Sequence, residues 1–192
     1  MFQDYIKEFE NKNNCKVLEF YFRDKKNGWG LFNKIIYEKN GKKLELVQPC
    51  YKSSFYQLFL DSSIYRENCY ECPYACGNRN SDITIGDFWG IQEEHPENAI
   101  NEKEGISCAI CNTEKGKKIL EKYGNNIVLN ESIFEKVSKH NHQLNHPSNL
   151  IDERDIVLKK YEVNGYEDVE KYYNKTRFIK NKIKEIRDLI KK

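Results

Sequence analysis

The sequence predicts a mixed α/β (α+β) fold that consists of a small mixed sheet, flanking helices and a helical C-terminal extension. Three observations predict this fold. Apolar and polar residues alternate over Lys16–Arg23, which is typical of a strand with one buried face. The dipeptide Asn40–Gly41 favours a tight hairpin turn. Four isoleucines near the C-terminus recur at the spacing of one helix face, and they are Ile179, Ile183, Ile186 and Ile190.

The N-terminal part of the chain is predicted to contain two helices and three strands. Apolar residues at helical spacing start the first helix at Phe2, and Gly28 lies in the turn between the first two strands. Ser53 or Ser54 is the expected cap of the second helix. The predicted bounds are Lys16–Arg23, Trp29–Glu38 and Lys42–Gln48 for the strands and Ser53–Leu60 for the second helix.

The rest of the chain is predicted to contain short strands followed by helices. The expected strands are Ile83–Ile85, Ile106–Cys111 and Ile127–Leu129, and the first of them is expected to be buried. The expected helices are Glu114–Lys122 and further helices from Ser132 onward. No repeat or linker is visible in the sequence. We therefore expect one domain over residues 1–165, followed by a basic amphipathic helix over residues 166–192.

The predicted C-terminal helix is strongly basic. Residues 175–192 carry eight basic and two acidic residues, which gives this segment a net charge of +6. This amphipathic helix can dock on its own domain or fray at the chain end, or it can bind a membrane surface or a partner protein. The first role is the ordinary one for an amphipathic helix, and it is our expectation.

Composition and charge exclude several classes of protein. No apolar run approaches the roughly 18 residues of a membrane span, so we expect no transmembrane segment. The net charge of +2 gives no reason to expect nucleic-acid binding. The N-terminus has no apolar signal-peptide core and the seven cysteines are an odd number, so we expect a cytoplasmic protein rather than a secreted disulfide scaffold.

The most informative motif is a cysteine loop with the spacing C-x2-C-x3-C, formed by Cys69, Cys72 and Cys76. Two thiolates separated by two residues can bind one metal centre, and both zinc sites and iron–sulfur clusters use this arrangement. Such centres take about four ligands, so the fourth is either Cys50 or a cysteine of another chain. A dithiol redox pair and buried structural thiols are the alternatives.

Two further groups have ordinary structural explanations. Cys108 and Cys111 form a second C-x2-C, but in a strand their sulfurs point to opposite faces, so we interpret both as core residues. His140 and His142 could chelate a metal, but their polar neighbours favour exposed side chains.

The segment Ser81–Gly90 has features of a ligand-binding turn. Asp87 lies at the end of the predicted strand, which is where α/β folds place ligands. Phe88 and Trp89 offer flat faces against which a tricyclic ring can stack. The alternative is a turn with a packed aromatic pair, and the spacing alone does not decide between the two.

Three segments together resemble one protein family. They are Phe22–Trp29, Cys69–Ala75 and Ser81–Gly90, and their order and spacing are similar to those of the C-terminal domain of the beta subunits of coenzyme F420 hydrogenases and dehydrogenases. The segments Gly105–Ser107 and Asn112–Gly116 match the part expected downstream. The resemblance covers residues 1–165, and the cysteine block is its specific part.

The resemblance implies redox chemistry. Family members use FAD and iron–sulfur clusters, here expected to be [4Fe–4S], to move electrons between a partner redox subunit and coenzyme F420, a deazaflavin, or an equivalent acceptor. It implies that Cys69 and Cys72 are cluster ligands, whereas Cys76 lies outside the family pattern and is a third candidate on its spacing alone. The residues implied for the cofactor or substrate region are Arg23, Lys25, Asp82, Thr84, Asp87, Phe88 and Trp89.

The resemblance also implies a missing part. Full-length family members carry an N-terminal half ahead of the segment that resembles Phe2–Ile6, and that half contributes much of the flavin site, further cysteines and often a ferredoxin-like module. We therefore expect this chain to be a C-terminal fragment, a separately encoded half or a trimmed chain that is inactive alone. The alternative function is a structural zinc module, with Cys50 completing the cysteine site, that docks on a partner protein.

Overall fold

The computed structural model describes residues 1–97 and 104–190, and its fold is mixed α/β, as predicted. The chain forms two compact units. The first unit is Met1–Tyr65 together with Leu150–Lys192, and the second unit is Arg66–Asn149. Among the described residues, no helix is both long and apolar enough to cross a membrane. The predicted boundary after residue 165 stays a prediction.

In chain order the elements are α1 (Phe2–Asn13), β1 (Lys16–Tyr21), β2 (Phe32–Lys39), β3 (Lys42–Pro49), α2 (Ser54–Leu60), β4 (Ile83–Asp87), α3 (Ile91–Glu94), β5 (Ser107–Cys111), α4 (Glu114–Tyr123), α5 (Phe134–Lys139), α6 (Glu153–Asn164) and α7 (Tyr166–Ile190). Most of the predicted elements are therefore confirmed. The last two residues of the predicted C-terminal helix, 191 and 192, lie outside the described residues.

The first unit contains an antiparallel sheet with the strand order β1-β2-β3. The predicted hairpin turn is confirmed, since Asn40 and Gly41 have φ angles of 53° and 70° between β2 and β3. The predicted helix cap is also confirmed, because the hydroxyl of Ser53 accepts the backbone N–H of Tyr56 at 3.3 Å. β2 begins later than predicted, and Trp29 belongs to the loop before it.

The core of the first unit is rich in tyrosine. Its buried members come from α1, α2, α6 and α7, and they are Tyr5, Leu58, Val157, Tyr166, Val169 and Tyr173. The tyrosine hydroxyls keep hydrogen-bond partners: the hydroxyl of Ser53 donates to that of Tyr5 at 3.0 Å, and Tyr173 donates to the carbonyl of Tyr51 at 2.7 Å. Each ring thus contributes apolar area while its polar tip remains satisfied.

The second unit contains a separate two-stranded sheet in which β4 and β5 pair antiparallel, with Ile83 opposite Cys111. The strands are thus divided between two antiparallel sheets, where the sequence predicted one small mixed sheet. The prediction of a strand at Ile127–Leu129 is wrong. These residues follow a short helical turn and are 51–92% exposed. Ile85 is in a strand but is 75% exposed, since one face of this narrow sheet is open.

Candidate functional site

The cysteine loop folds as a series of tight turns at the start of the second unit. Cys69 ends a short helical turn, Glu67–Cys69, and the N–H of Ala75 donates to the carbonyl of Cys72 at 3.1 Å. Cys69, Cys72 and Cys76 are free thiols and are half-buried. The thiol of Cys76 donates to the carbonyl of Asn78 at 3.0 Å. All three predicted ligands therefore lie outside disulfides and have access to solvent.

The three sulfurs do not converge on one point. Within residues 1–97 and 104–190, a single group of three His, Cys, Asp or Glu side chains has its ligand atoms within 4.8 Å of one another, and it contains none of these cysteines. The sulfurs of Cys69, Cys72 and Cys76 therefore include at least one pair that lies more than 4.8 Å apart. In a tetrahedral zinc site with Zn–S bonds of about 2.3 Å, sulfurs lie about 3.8 Å apart.

The loop is attached to the segment around α5. The guanidinium of Arg79 donates to the carbonyl of Cys76 at 3.1 Å and to the carbonyl of Gln143 at 2.9 Å, so one side chain joins the loop to the residues that follow α5. The ring of Phe134, the first residue of α5, packs so closely against Gly77 that a side-chain Cβ there would lie 2.8 Å from it. These contacts fix the position of Cys76 within the second unit.

Asp82 and Thr84 lie at the start of β4, where they are bound to the beginning of α4. The carboxylate of Asp82 accepts hydrogen bonds from the hydroxyl of Thr113 at 2.7 Å and from the ammonium of Lys115 at 2.9 Å. The Thr113 hydrogen bond is the main reason that the pKa of Asp82 lies below its usual value. The hydroxyl of Thr84 accepts the side-chain amide of Asn112 at 2.9 Å. Both predicted residues thus have a structural role here.

Asp87, Phe88 and Trp89 lie at the opposite end of β4. At about 3.3 Å per residue, the strand separates Asp82 from Asp87 by about 17 Å. Phe88 is only 4% exposed, and the ring of His95 packs edge-on against it with 5.9 Å between ring centroids. Its ring is therefore packed in the interior of the second unit, whereas Trp89 is half-buried.

Gly90 brings this end of β4 against the residue that follows α5. Gly90 has a φ of 79°, and a Cβ on it would lie 2.2 Å from the ring of His140. Only glycine combines this backbone conformation with so close an approach. The Asp87–Gly90 turn and the cysteine loop therefore contact the same segment of the second unit, residues 134–145.

His140 also faces two carboxylates. Its Nε2 lies 3.5 Å from Glu93 and 3.6 Å from Glu94, and these are the three side chains whose ligand atoms lie within 4.8 Å. The ammonium of Lys139 pairs with Glu94 as well, and this contact is the main cause that lowers the pKa of the Glu94 carboxyl. The ammonium of Lys139 thus already supplies a positive charge to the group formed by His140, Glu93 and Glu94. His140 is half-buried, where the sequence suggested an exposed side chain.

Arg23 and Lys25 belong to the first unit, in the loop between β1 and β2. They flank Asp24, which is buried and pairs with Lys34 at 2.9 Å, and this contact lowers the pKa of the Asp24 carboxyl. The N–H of Asp24 also donates to the carbonyl of Phe32 at 3.1 Å, which closes the loop. Asp24 was not predicted, although its position between two basic residues is a visible signal.

The remaining cysteines have distinct environments. Cys108 and Cys111 lie on opposite faces of β5, as predicted, but only Cys108 is buried, so the interpretation of Cys111 as a core residue is wrong. Burial raises the pKa of the Cys108 thiol. Cys50, the suggested fourth ligand, belongs to the first unit, where its thiol donates to the side chain of Gln57 at 3.4 Å. Burial raises the pKa of the Cys50 thiol too.

Sequence reasoning missed the importance of residues 134–145. Phe134, His140 and Gln143 contact the cysteine loop and the Asp87–Gly90 turn, but the sequence drew attention only to His140, and only as a possible metal ligand. The available signal was the pair of glycines that they touch, Gly77 and Gly90, because a glycine beside a candidate site often marks a close approach of another segment.

Fold and site together describe a mixed α/β protein in which a free-thiol loop is fixed beside a two-stranded sheet. Residues 1–136 match the family that comprises the C terminus of the coenzyme F420 hydrogenase/dehydrogenase beta subunit, and the chain belongs to this family. The family is one of redox-enzyme subunits, and a beta subunit implies a partner subunit. The chain matches no curated protein and no solved structure.

Proposed function

We propose that this chain is the redox domain of a cytoplasmic iron–sulfur flavoprotein oxidoreductase. In this proposal it moves electrons between an iron–sulfur cluster, FAD and coenzyme F420 or an equivalent deazaflavin acceptor. The observation that carries the proposal is the loop of three free thiols, fixed to the same segment as the Asp87–Gly90 turn, in a chain of this family. An odd number of cysteines, seven, favours a reducing compartment over a secreted disulfide scaffold.

The donor set of the loop fits an iron–sulfur cluster. Cysteine thiolates are the usual ligands of such clusters, and each of the four binds a different iron of a [4Fe–4S] cube, so their sulfurs need not meet at one point. Cys69, Cys72 and Cys76 would supply three of the four ligands. The fourth is assigned to a cysteine of the partner half. When bound, the cluster supplies one-electron transfer.

The chain's own residues would position the cluster and tune its environment. Arg79 holds the carbonyl of Cys76, so the Cys76 end of the loop is fixed before any ligand binds. The N–H of Ala75 donates to the carbonyl of Cys72, and this turn holds the Cys72 end of the loop. The half-buried position of the loop limits, but does not prevent, contact with water.

The flavin and deazaflavin contacts are proposed for fewer residues than the resemblance implies. Phe88 does not fit as a stacking platform, because its ring is buried. The carboxylate of Asp82 is already bound by Thr113 and Lys115. Trp89 and Asp87 remain candidates in the second unit. Arg23 and Lys25 remain separate candidates in the first unit, and the partner half would complete the contacts of each pair.

Anaerobic reconstitution tests this proposal. The chain is incubated with iron and sulfide, alone and with the N-terminal half of a full-length family member supplied in trans. We expect a broad visible absorption band, an EPR signal after reduction, and about four irons per chain. The double variant Cys69→Ser/Cys72→Ser should lose the signal. The matched control Cys111→Ser, an exposed thiol outside the loop, should keep it. Failure of the wild-type chain to retain iron with the half supplied contradicts the proposal.

The zinc module is the alternative, and elemental analysis separates the two. One zinc and no iron per chain would favour it, and Cys69→Ser would then lower the melting temperature without affecting any redox signal. This alternative has less support, because at least one pair of sulfurs in the loop lies more than 4.8 Å apart, which is further than two ligands of one zinc ion lie from each other.

A further inference from the structure

The C-terminal half of α7 attaches to the first unit through polar side chains. The amide of Asn181 donates to the carbonyl of Tyr51 at 3.2 Å, and the hydroxyl of Tyr51 donates to the carboxylate of Asp188 at 2.7 Å. The ammonium of Lys184 lies over the Tyr51 ring, 5.4 Å from its centroid. Tyr51 is thus contacted by three side chains from one face of α7, which we call its inner face.

The apolar face of the same helix points away from these contacts. Its four isoleucines, which we call the outer stripe, are Ile179, Ile183, Ile186 and Ile190, and they are 53–78% exposed. An amphipathic helix normally buries its apolar face against its own domain. Here the polar face is attached and the outer stripe is open, so the helix docks on its own domain as expected, but through its polar face. A contiguous exposed stripe of this kind marks a binding surface.

The spacing of the outer stripe is that of a coiled-coil seam. Its members follow one another by four, three and four residues, which places isoleucine at successive a and d positions of a heptad. Over residues 179–190 the seam is about 17 Å long at 1.5 Å per residue. Its natural occupant is therefore another helix.

Cations flank the outer stripe on both sides. Lys180 and Arg187 lie along one edge and Lys182 lies along the other, and all three are exposed. Lys182 pairs with Glu185 at 2.9 Å, but Lys52 also pairs with that carboxylate at 3.3 Å, so the edge keeps its positive charge. In a second copy of this chain, cation would face cation in either orientation of the two helices, which disfavours self-pairing.

The same geometry disfavours a membrane surface. At about 100° per residue, Lys175 and Lys182 lie between the outer stripe and the other exposed apolar residues of this helix, Phe178 and Leu189. A helix that inserts into a bilayer surface needs one continuous apolar face, and these lysines divide it. A partner helix with acidic flanks fits both the narrow apolar seam and the flanking cations. Its apolar face covers the seam, and its acidic residues neutralise the cations.

We propose that the outer stripe of α7 docks an acidic amphipathic helix of a partner protein. Binding buries the four isoleucines, and acidic residues of the partner pair with Lys180, Lys182 and Arg187. The proposal does not depend on the cluster site, because α7 belongs to the first unit and the cysteine loop to the second.

The test uses the full chain and a labelled three-heptad peptide with leucine at a and d and glutamate at e and g, followed by fluorescence anisotropy. A control peptide carries lysine at e and g. We expect the acidic peptide to bind at least tenfold more tightly than the control, and to weaken as salt is raised. Ile183→Asp/Ile186→Asp should reduce binding at least tenfold. Val163→Asp, an exposed apolar position on α6, should not change it.

Four results would overturn the proposal. In the peptide assay they are no binding of the acidic peptide to the wild-type chain, equal binding of the two peptides, or unchanged binding of the acidic peptide to the double aspartate variant. In sedimentation the fourth is a wild-type dimer that Ile183→Asp dissociates. Vesicles that contain phosphatidylserine provide the remaining comparison. Co-sedimentation with these vesicles, lost in the double variant and without peptide binding, would assign the stripe to a membrane surface instead.

Discussion

Gly116 of α4 packs tightly against Asp82, the residue before β4, and its substitution tests how this end of the strand is held. A Cβ at position 116 would lie 2.1 Å from the carbonyl oxygen of Asp82. Carbon and oxygen atoms normally approach to about 3.4 Å, so Gly116→Ala creates an overlap of about 1.3 Å with backbone that cannot rotate away. The helix must therefore move away from the strand.

The magnitude follows from two opposing effects. Overpacking against a rigid neighbour costs about 3 kcal/mol, and alanine returns about 1 kcal/mol through its better helix propensity. The net loss of stability is about 2 kcal/mol. For a unit the size of Arg66–Asn149 this lowers the melting temperature by about 8–16 °C.

Differential scanning calorimetry measures the shift, and hydrogen exchange locates it. The N–H of Asn112, which donates to the Asp82 carbonyl at 2.9 Å, should exchange faster in Gly116→Ala. The control Lys117→Ala, an exposed neighbour on α4, should stay within about 0.5 kcal/mol of the wild type. A melting temperature of Gly116→Ala within about 2 °C of the wild type would refute the reasoning, because it would mean that α4 and β4 have room to spare.

Three more predictions concern single side chains. Asn33 is fully buried and its amide has no hydrogen-bond partner among the described residues, so Asn33→Val should raise the free energy of unfolding in urea by about 1–3 kcal/mol; a decrease would contradict this. The hydroxyl of Tyr161 donates to Asp4 and lowers the pKa of its carboxyl to about 2. The contribution of Asp4 to the free energy of unfolding is therefore lost as the pH falls from about 4 to 2. Asp4→Asn should make the free energy of unfolding less dependent on pH over this range. Cys108 should react with iodoacetamide at least tenfold more slowly than Cys111, as followed by mass spectrometry, and equal rates would contradict its burial.

Local signals predicted the elements whose causes are local. The Asn40–Gly41 hairpin and the Ser53 cap depend on backbone conformations and hydrogen bonds within a few residues, and both are confirmed. Ile127–Leu129 has an equally good strand composition, but a strand also needs a neighbour, and no local pattern reveals whether one is present. The division of the strands between two sheets was unpredictable for the same reason, because pairing joins residues that are distant in sequence.

The direction of a helix face is a second feature that periodicity cannot provide. The isoleucine stripe of α7 has the same spacing whether it faces the domain or solvent. What decides its direction is Tyr51, more than a hundred residues away, whose carbonyl and hydroxyl bind Asn181 and Asp188. For the candidate site, the motif located the cysteine loop and both ends of β4. The contact of His140 with Gly90 requires the folded chain.

Under the proposed function the two ends of β4 have different roles, and mutations at each end should therefore have different effects on the retention of the proposed cofactor. Asp82 bonds Thr113 and Lys115, so Asp82→Asn should weaken cofactor retention only through the attachment of β4 to α4. Thr113→Val removes one of these two contacts from the other side and should therefore also lower cofactor retention and the melting temperature. Asp87→Asn, at the far end of the strand, should reduce cofactor retention with a smaller change in melting temperature. If Asp82→Asn abolishes retention in a chain that melts like the wild type while Thr113→Val leaves retention intact, Asp82 contacts the cofactor directly and its structural role is secondary.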